Sequence, residues 1–187
     1  MRTSLDEKEQ THRRIVDGAA RLIRERGLGA TSVADVMGAA GLTHGGFYRH
    51  FDGKEALMLA ALEAAFAERL AALQQRFDEQ PPADAVAGYR AHYLHEGHVG
   101  TLGIGCPVPT LGGEVARAPA ALKAAYGANI RQMIGLLAQG MAGPPEAREA
   151  LAAREIAMLA GAIMLARASD PETGALILAA CRERPSG

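Results

Sequence analysis

The sequence predicts an all-α fold. Two observations carry that expectation. Hydrophobic residues make up 49% of the 187, chiefly alanine, leucine and isoleucine, while aromatics are only 4% and tryptophan is absent; this is the composition of closely packed helices with small contact residues. Apolar positions also recur at helical spacing along most of the chain, in stretches punctuated by glycine and proline. The length suits one large domain or two small ones, each able to bury a core.

The elements follow in order. Ile15, Ala19, Leu22 and Ile23 fall on one helical face between residues 11 and 26, and Gly27 supplies a stop. Ser32 with Asp35 forms a capping box that opens a short helix, with Val33, Val36 and Met37 inward and Gly41 at its end. A third short helix lies in "GLTHGGFYRHF". A long amphipathic fourth helix then runs over about 53–78, with Asp52 as a candidate cap. Pro81-Pro82 interrupts the pattern. Beyond it the spacing predicts a helix over 83–98, a glycine-rich link "VGTLGIG", a short helix following Pro107 and Pro109, and a longer one over 119–141. Two more follow, over 146–168 and 171–183. The expected domains are residues 1–55 and 56–187, linked by the fourth helix.

Bulk charge says nothing about partners, because 20 Lys and Arg stand against 21 Asp and Glu, so any nucleic-acid binding must rest on local placement. Cys106 and Cys181 lack metal-type spacing and disulfide density, which points to free thiols in a reducing compartment. The charged N-terminus has no apolar signal core. The most apolar run, 156–166, is short of the roughly 20 residues needed to span a membrane. A cytoplasmic protein without membrane attachment is expected.

"GLTHGGFYRHF" poses a specific problem, since each glycine inside a helix costs about 1 kcal/mol relative to alanine. On a helical wheel Phe47 and Phe51 share one face, and Gly45 and Arg49 lie opposite, with Gly46 and Tyr48 beside them. Phe47, Phe51 and Leu42 would anchor the helix from behind. Two short helices joined at Gly41 form a helix-turn-helix, whose second helix presents its first residues to base edges in the major groove. Glycines there permit close approach to bases or phosphates. Arg49 suits guanine, Tyr48 and His50 suit phosphate, and Lys54 stands at the start of the fourth helix.

The run "TSVADVMGAAGLTHGGFYRHFDGKEALMLAAL" resembles the DNA-binding domain of TetR-type transcriptional regulators. The resemblance covers about the first third of the chain. It implies an N-terminal three-helix DNA-binding domain, followed by a larger helical domain for ligand binding and dimerisation. Residue by residue, it implies phosphate contacts from Thr31 or Ser32, Tyr48, His50 and Lys54, and contacts against bases from His44, Gly45, Gly46 and Arg49, with Thr43 also in the DNA-binding set. The wheel alone turns His44 toward the buried side.

In proteins similar to this one, the last two long helices form a homodimer, matched to a palindromic operator. Here Ala157, Ala160, Gly161 and Ala168 permit close helix contact, and Ile156, Met164, Leu176 and Ile177 offer apolar surface. A small-molecule effector is expected in the body, with Tyr89, His92, Tyr93, Cys106, Tyr126, Asn129 and Met133 as the candidate lining. His92, His95, Glu96 and His98 have a weak metal-like spacing, and exposed or pocket-lining histidines are the preferred reading, with no metal or cofactor expected. Cys106 before Pro107 sits where a helix N-terminus would lower a thiol pKa. Some TetR-type regulators with a similar Gly-Cys segment followed by a glutamate, here Glu114, sense electrophiles or oxidants; the prolines at 107 and 109 weaken the transfer, and an inert buried thiol is favoured. The leading reading is a non-enzymatic repressor. Two competitors stand beside it: a thiol-dependent hydrolase using Cys106 with His98 or His95 as base, and a DNA-binding protein without an effector.

Overall fold

The computed structural model describes residues 2–182, with side chains from Leu5 onward, and those residues contain helices and no strands. Helix α1 spans Arg2–Arg26, so it begins well before the expected residue 11. The apolar stripe locates only the part that packs; the charged segment ahead of it continues the same helix into solvent. Gly27 ends α1 at φ +90°, where its N–H bonds the Ile23 carbonyl at 2.8 Å.

Helix α2, Val33–Ala39, opens with the expected capping box: the Asp35 N–H donates to Ser32 Oγ at 3.1 Å and the Ser32 N–H to the Asp35 carboxylate at 3.0 Å. It closes at Gly41 (φ +72°). There the Leu42 N–H reaches the Met37 carbonyl at 2.8 Å and the Gly41 N–H the Gly38 carbonyl at 3.0 Å, the bond pair of a Schellman motif. The third element, His44–Arg49, is a 3-10 helix rather than an α-helix. Helix α3, Lys54–Glu79, takes Gly53 and not Asp52 as its cap residue, without a side-chain cap bond.

The expected helix over 83–98 is divided. Helix α4, Pro82–Tyr93, stops at Leu94, and the short α5, Glu96–Gly100, begins after an extended His95 whose Nδ1 accepts the Gly97 N–H at 3.1 Å. Arg182 bonds the carbonyl of Leu94 from across the fold, at 2.6 and 3.2 Å, so the break leaves that acceptor satisfied. Then come α6, Pro107–Val115, α7, Ala120–Ala138, α8, Pro145–Ala168, and α9, Pro171–Arg182; the expected end of α9 at residue 183 lies outside the described residues.

Helix α1 packs along α3, α3 against α7, and α8 against both α7 and α9. One core runs through these contacts, from Ile15, Phe47 and Phe66 near the N-terminal end to Leu137, Ile163 and Leu178 near the other. Two polar links join the first helices to the rest. Arg24, 2% exposed, donates to the Ala20 carbonyl at 3.0 Å and to Glu68 at 2.7 Å, and Glu114 of α6 accepts the Gly29 N–H at 2.8 Å.

Candidate nucleic-acid interface and body cavities

The 3-10 helix is held from one side only. Phe47 and Phe51 are buried and stack on each other at 5.8 Å, and His12 of α1 stacks on Phe51 at 4.8 Å. On the outer side a Cβ added at Gly45 would meet nothing within 4 Å. Gly46 is less bare, because a Cβ there would lie 3.6 Å from Met37 Cε. Neither glycine has a positive φ, so the backbone does not require glycine at either position. The absence of a side chain at Gly45 is thus left unexplained by the fold and points to an outside surface.

Thr43, His44, Tyr48, Arg49 and Lys54 are all exposed, Tyr48 at 71%. His44 faces solvent, contrary to the wheel, since a 3-10 helix advances about 120° per residue and the 100° wheel misplaces its first turn. Thr31 is a correction. It is wholly buried and donates its hydroxyl to the Gly27 carbonyl at 2.7 Å, locking the turn between α1 and α2 away from any phosphate. Ser32 is exposed, but its hydroxyl is taken up by the cap, donating to Asp35 at 2.5 Å; the bonds from Ser32 hold the Asp35 carboxyl below its ordinary pKa. His50 is half-buried, with no partner at Nδ1 among the described residues. Burial, with nearby His12, Lys8 and Arg49, holds its pKa below the usual histidine value.

Lys8, His12 and Arg13 line a cleft of about 600 Å³ together with Arg49 and His50. The sequence reading missed these three. The N-terminal segment is of mixed charge, and only a helix starting before residue 11 brings Lys8, with Glu9, beside the 3-10 helix.

In the body, the seven candidate lining residues do not surround one cavity. Tyr89, Tyr93, Cys106, Asn129 and Met133 are buried. Tyr126 donates to the Val108 carbonyl at 3.0 Å and packs edge-on against Phe66, and burial pushes its pKa up to about 12. Asn129 bonds Glu63 and the Ala125 carbonyl, both at 2.9 Å. These are packing roles between α7 and its neighbours. Tyr89, Tyr93 and Cys106 form a second group, with the two tyrosine rings 5.5 Å apart, and the exposed His92 opens onto a cavity of about 260 Å³. Tyr89 with Tyr93 on α4, and Tyr126 with Met133 on α7, all pack into the core.

Cys106 is 1% exposed, and burial raises its thiol pKa despite the Tyr93 hydroxyl beside it. His98 is no base for it. Its Nδ1 bonds the Tyr93 carbonyl at 2.8 Å, and its Nε2 accepts the Cys106 backbone N–H at 3.1 Å, so both ring nitrogens are occupied. Among the described residues, no group of three or more His, Cys, Asp or Glu is disposed to hold a metal ion, and no helix is long and apolar enough to cross a membrane.

On α8 and α9, Met164, Leu165 and Leu176 are 52%, 49% and 70% exposed, and a Cβ at Gly161 would meet nothing within 4 Å. Ile156 is a correction, being 7% exposed and part of the core; Ile177 is half-buried.

Residues 15–61 match the model of the bacterial regulatory proteins, tetR family. The HTH-type transcriptional regulator TtgR of Pseudomonas putida is 32% identical over 84 residues, which are 44% of this chain and 40% of that protein. The HTH-type transcriptional repressor KstR2 of Rhodococcus jostii is 50% identical over 44 residues, 24% of this chain and 22% of that one. The match thus spans less than half the length of either relative. Likeness of fold reaches further: a TetR transcriptional regulator from Chloroflexus aurantiacus superposes with a TM-score of 0.73 at 29% identity, over 95% of this chain and 92% of that one. Reduced E. coli NemR does so with a TM-score of 0.76 at 23% identity, over 95% and 100%. Over residues 15–61 the chain is therefore similar to the bacterial regulatory proteins of the tetR family, and its fold is similar to that of TetR regulators over nearly its whole length.

Proposed function

We propose that this protein is a cytoplasmic, homodimeric, ligand-responsive repressor of transcription that grips a palindromic operator. Its heads are residues 1–55, joined through α3 to bodies of residues 56–187. The observation that carries the reading is the bare outer side of the 3-10 helix at Gly45, buttressed by Phe47 and Phe51 and flanked by exposed Tyr48, Arg49 and Lys54. Arg49 presents a planar fork for guanine O6 and N7; Lys54 and Tyr48 fix register on phosphates. The exposed apolar residues of α8 and α9 supply the face that a second copy would cover.

Release is a shift between two poses of α3. Lys54 stands at its first turn, Glu68 ties it to α1 through Arg24, and Arg69 lines the body cavity. An effector that prefers one pose changes the separation of the heads and mismatches the half-sites. Footprinting on the DNA upstream of the protein's own gene tests this. Two protected half-sites about one helical turn apart or a multiple of it, lost when a metabolite binds, are expected; diffuse protection without a dyad would refute the dimeric reading.

A further inference from the structure

We infer that the cavity between α3, α4 and α5 binds a small carboxylate anion, anchored by Arg69. The inference rests on the reading of the body as effector-binding and names the chemical class of the effector. The cavity, about 260 Å³, is lined by Arg69, His92, His95, His98, Thr101 and Ile104 among others. Arg69 Nε is buried without a hydrogen-bond partner, and among the described residues no carboxylate lies within 4 Å of its guanidinium. Three acids of α3 and α8 are engaged elsewhere, Glu68 by Arg24, Glu155 by Arg90 and Glu63 by Asn129, and the exposed Glu96, between His95 and Gly97 of the lining, makes no ion pair with Arg69 among the described residues. A buried guanidinium N–H with no acceptor is costly, and such groups are normally satisfied by a partner.

The rest of the lining is rich in donors. His95 accepts the Gly97 N–H at Nδ1, which leaves Nε2 as its N–H, and His92 makes no hydrogen bond among the described residues. Burial, then Arg76 and Arg69 of α3 and His95 of the following turn, depress the His92 pKa, as expected where positive charge faces it without a counter-ion. A carboxylate matches the guanidinium fork with two parallel bonds. Arg69 is the one arginine or lysine of the lining, and its planar fork fits the two oxygens of a carboxylate better than the tetrahedral oxygens of a phosphate. The volume lies below the roughly 300–1,000 Å³ typical of drug-sized sites, which calls for a compact acid, and the 60% exposed Ile104 offers it an apolar edge.

Isothermal titration of the full chain with acetate, benzoate, benzamide and inorganic phosphate tests the site, at about pH 6 and about pH 8. One of the two carboxylates should bind, more tightly at the lower pH as His92 takes up a proton, with phosphate weaker and benzamide silent. Arg69→Gln should weaken carboxylate binding at least about tenfold, Arg69→Lys should weaken it less, and His92→Gln should flatten the pH dependence. Failure of both carboxylates to bind, equal binding of benzamide, or undiminished binding by Arg69→Gln and Arg69→Lys would overturn the site. Operator affinity measured without added anion reports separately on the DNA reading, so the two failures are distinguishable.

Discussion

Replacing Gly45 by alanine separates what the fold needs from what a partner needs. The new Cβ meets no atom of the described residues within 4 Å, and the backbone there is not in the left-handed region. The substitution should therefore leave stability unchanged or raise it, by up to the roughly 1 kcal/mol by which alanine exceeds glycine in helical backbone. For a chain of this size that is a rise in Tm of at most about 4 °C. On DNA, under the proposed close approach, the same methyl should enter a contact packed to van der Waals distance, where overpacking costs about 1 kcal/mol or more. Two heads per dimer double it to about 2 kcal/mol, near a thirtyfold loss of affinity. Thermal unfolding and fluorescence anisotropy on one preparation read both quantities. Gly46→Ala is the companion variant, since its Cβ would make ordinary contact with Met37 at 3.6 Å. Undiminished operator affinity in Gly45→Ala would refute the close-approach argument, and a large loss of stability would show that the glycine serves the fold after all.

Other outcomes follow from the same geometry. Arg49→Ala should relax base preference, whereas Lys54→Ala should weaken all duplexes alike and reduce the salt slope by about one, as competition binding at several salt concentrations would show. Glu155→Ala leaves Arg90 without its two 2.6 Å bonds in a site where Glu155 is 7% exposed, and denaturant unfolding should report a loss of about 3 kcal/mol. Gly140→Ala would drive a Cβ into the Pro82 backbone and Val86, with a cost of about 1–3 kcal/mol or more measurable in the same way. Burial depresses the His98 pKa below its ordinary value near 6.5, so the unfolded chain binds the proton more readily. Its contribution to stability is full above about pH 6.5 and falls as pH drops toward the folded value; His98→Gln should flatten that limb of a Tm profile against pH.

What the sequence disclosed was what local chemistry decides. The Ser32 box, the Gly27 stop and the Gly41 Schellman turn each depend on a few adjacent residues, and each was legible. The inward turn of Phe47 and Phe51 was legible too, although the helix presenting them is 3-10. Solvated helix escaped notice because the N-terminal part of α1 buries no stripe, and with it went the placement of Lys8 and His12. At the break, the Leu94 carbonyl accepts from Arg182, 88 residues on, a contact that no local window contains. Thr31 and the tyrosines were misread for a shared reason: side chains that serve a site and side chains that fill a core are alike in type, and burial alone separates them. Arg69 carries no signal in the sequence, because its unpartnered Nε is a product of the fold.

The central claim is that the outer side of the 3-10 helix meets a duplex. Anisotropy titration of the full chain against the DNA upstream of its own gene, with a scrambled competitor and at rising salt, tests it most directly. The account predicts saturable binding that survives the competitor and weakens steadily as salt rises; indifference to every duplex at low ionic strength would contradict it.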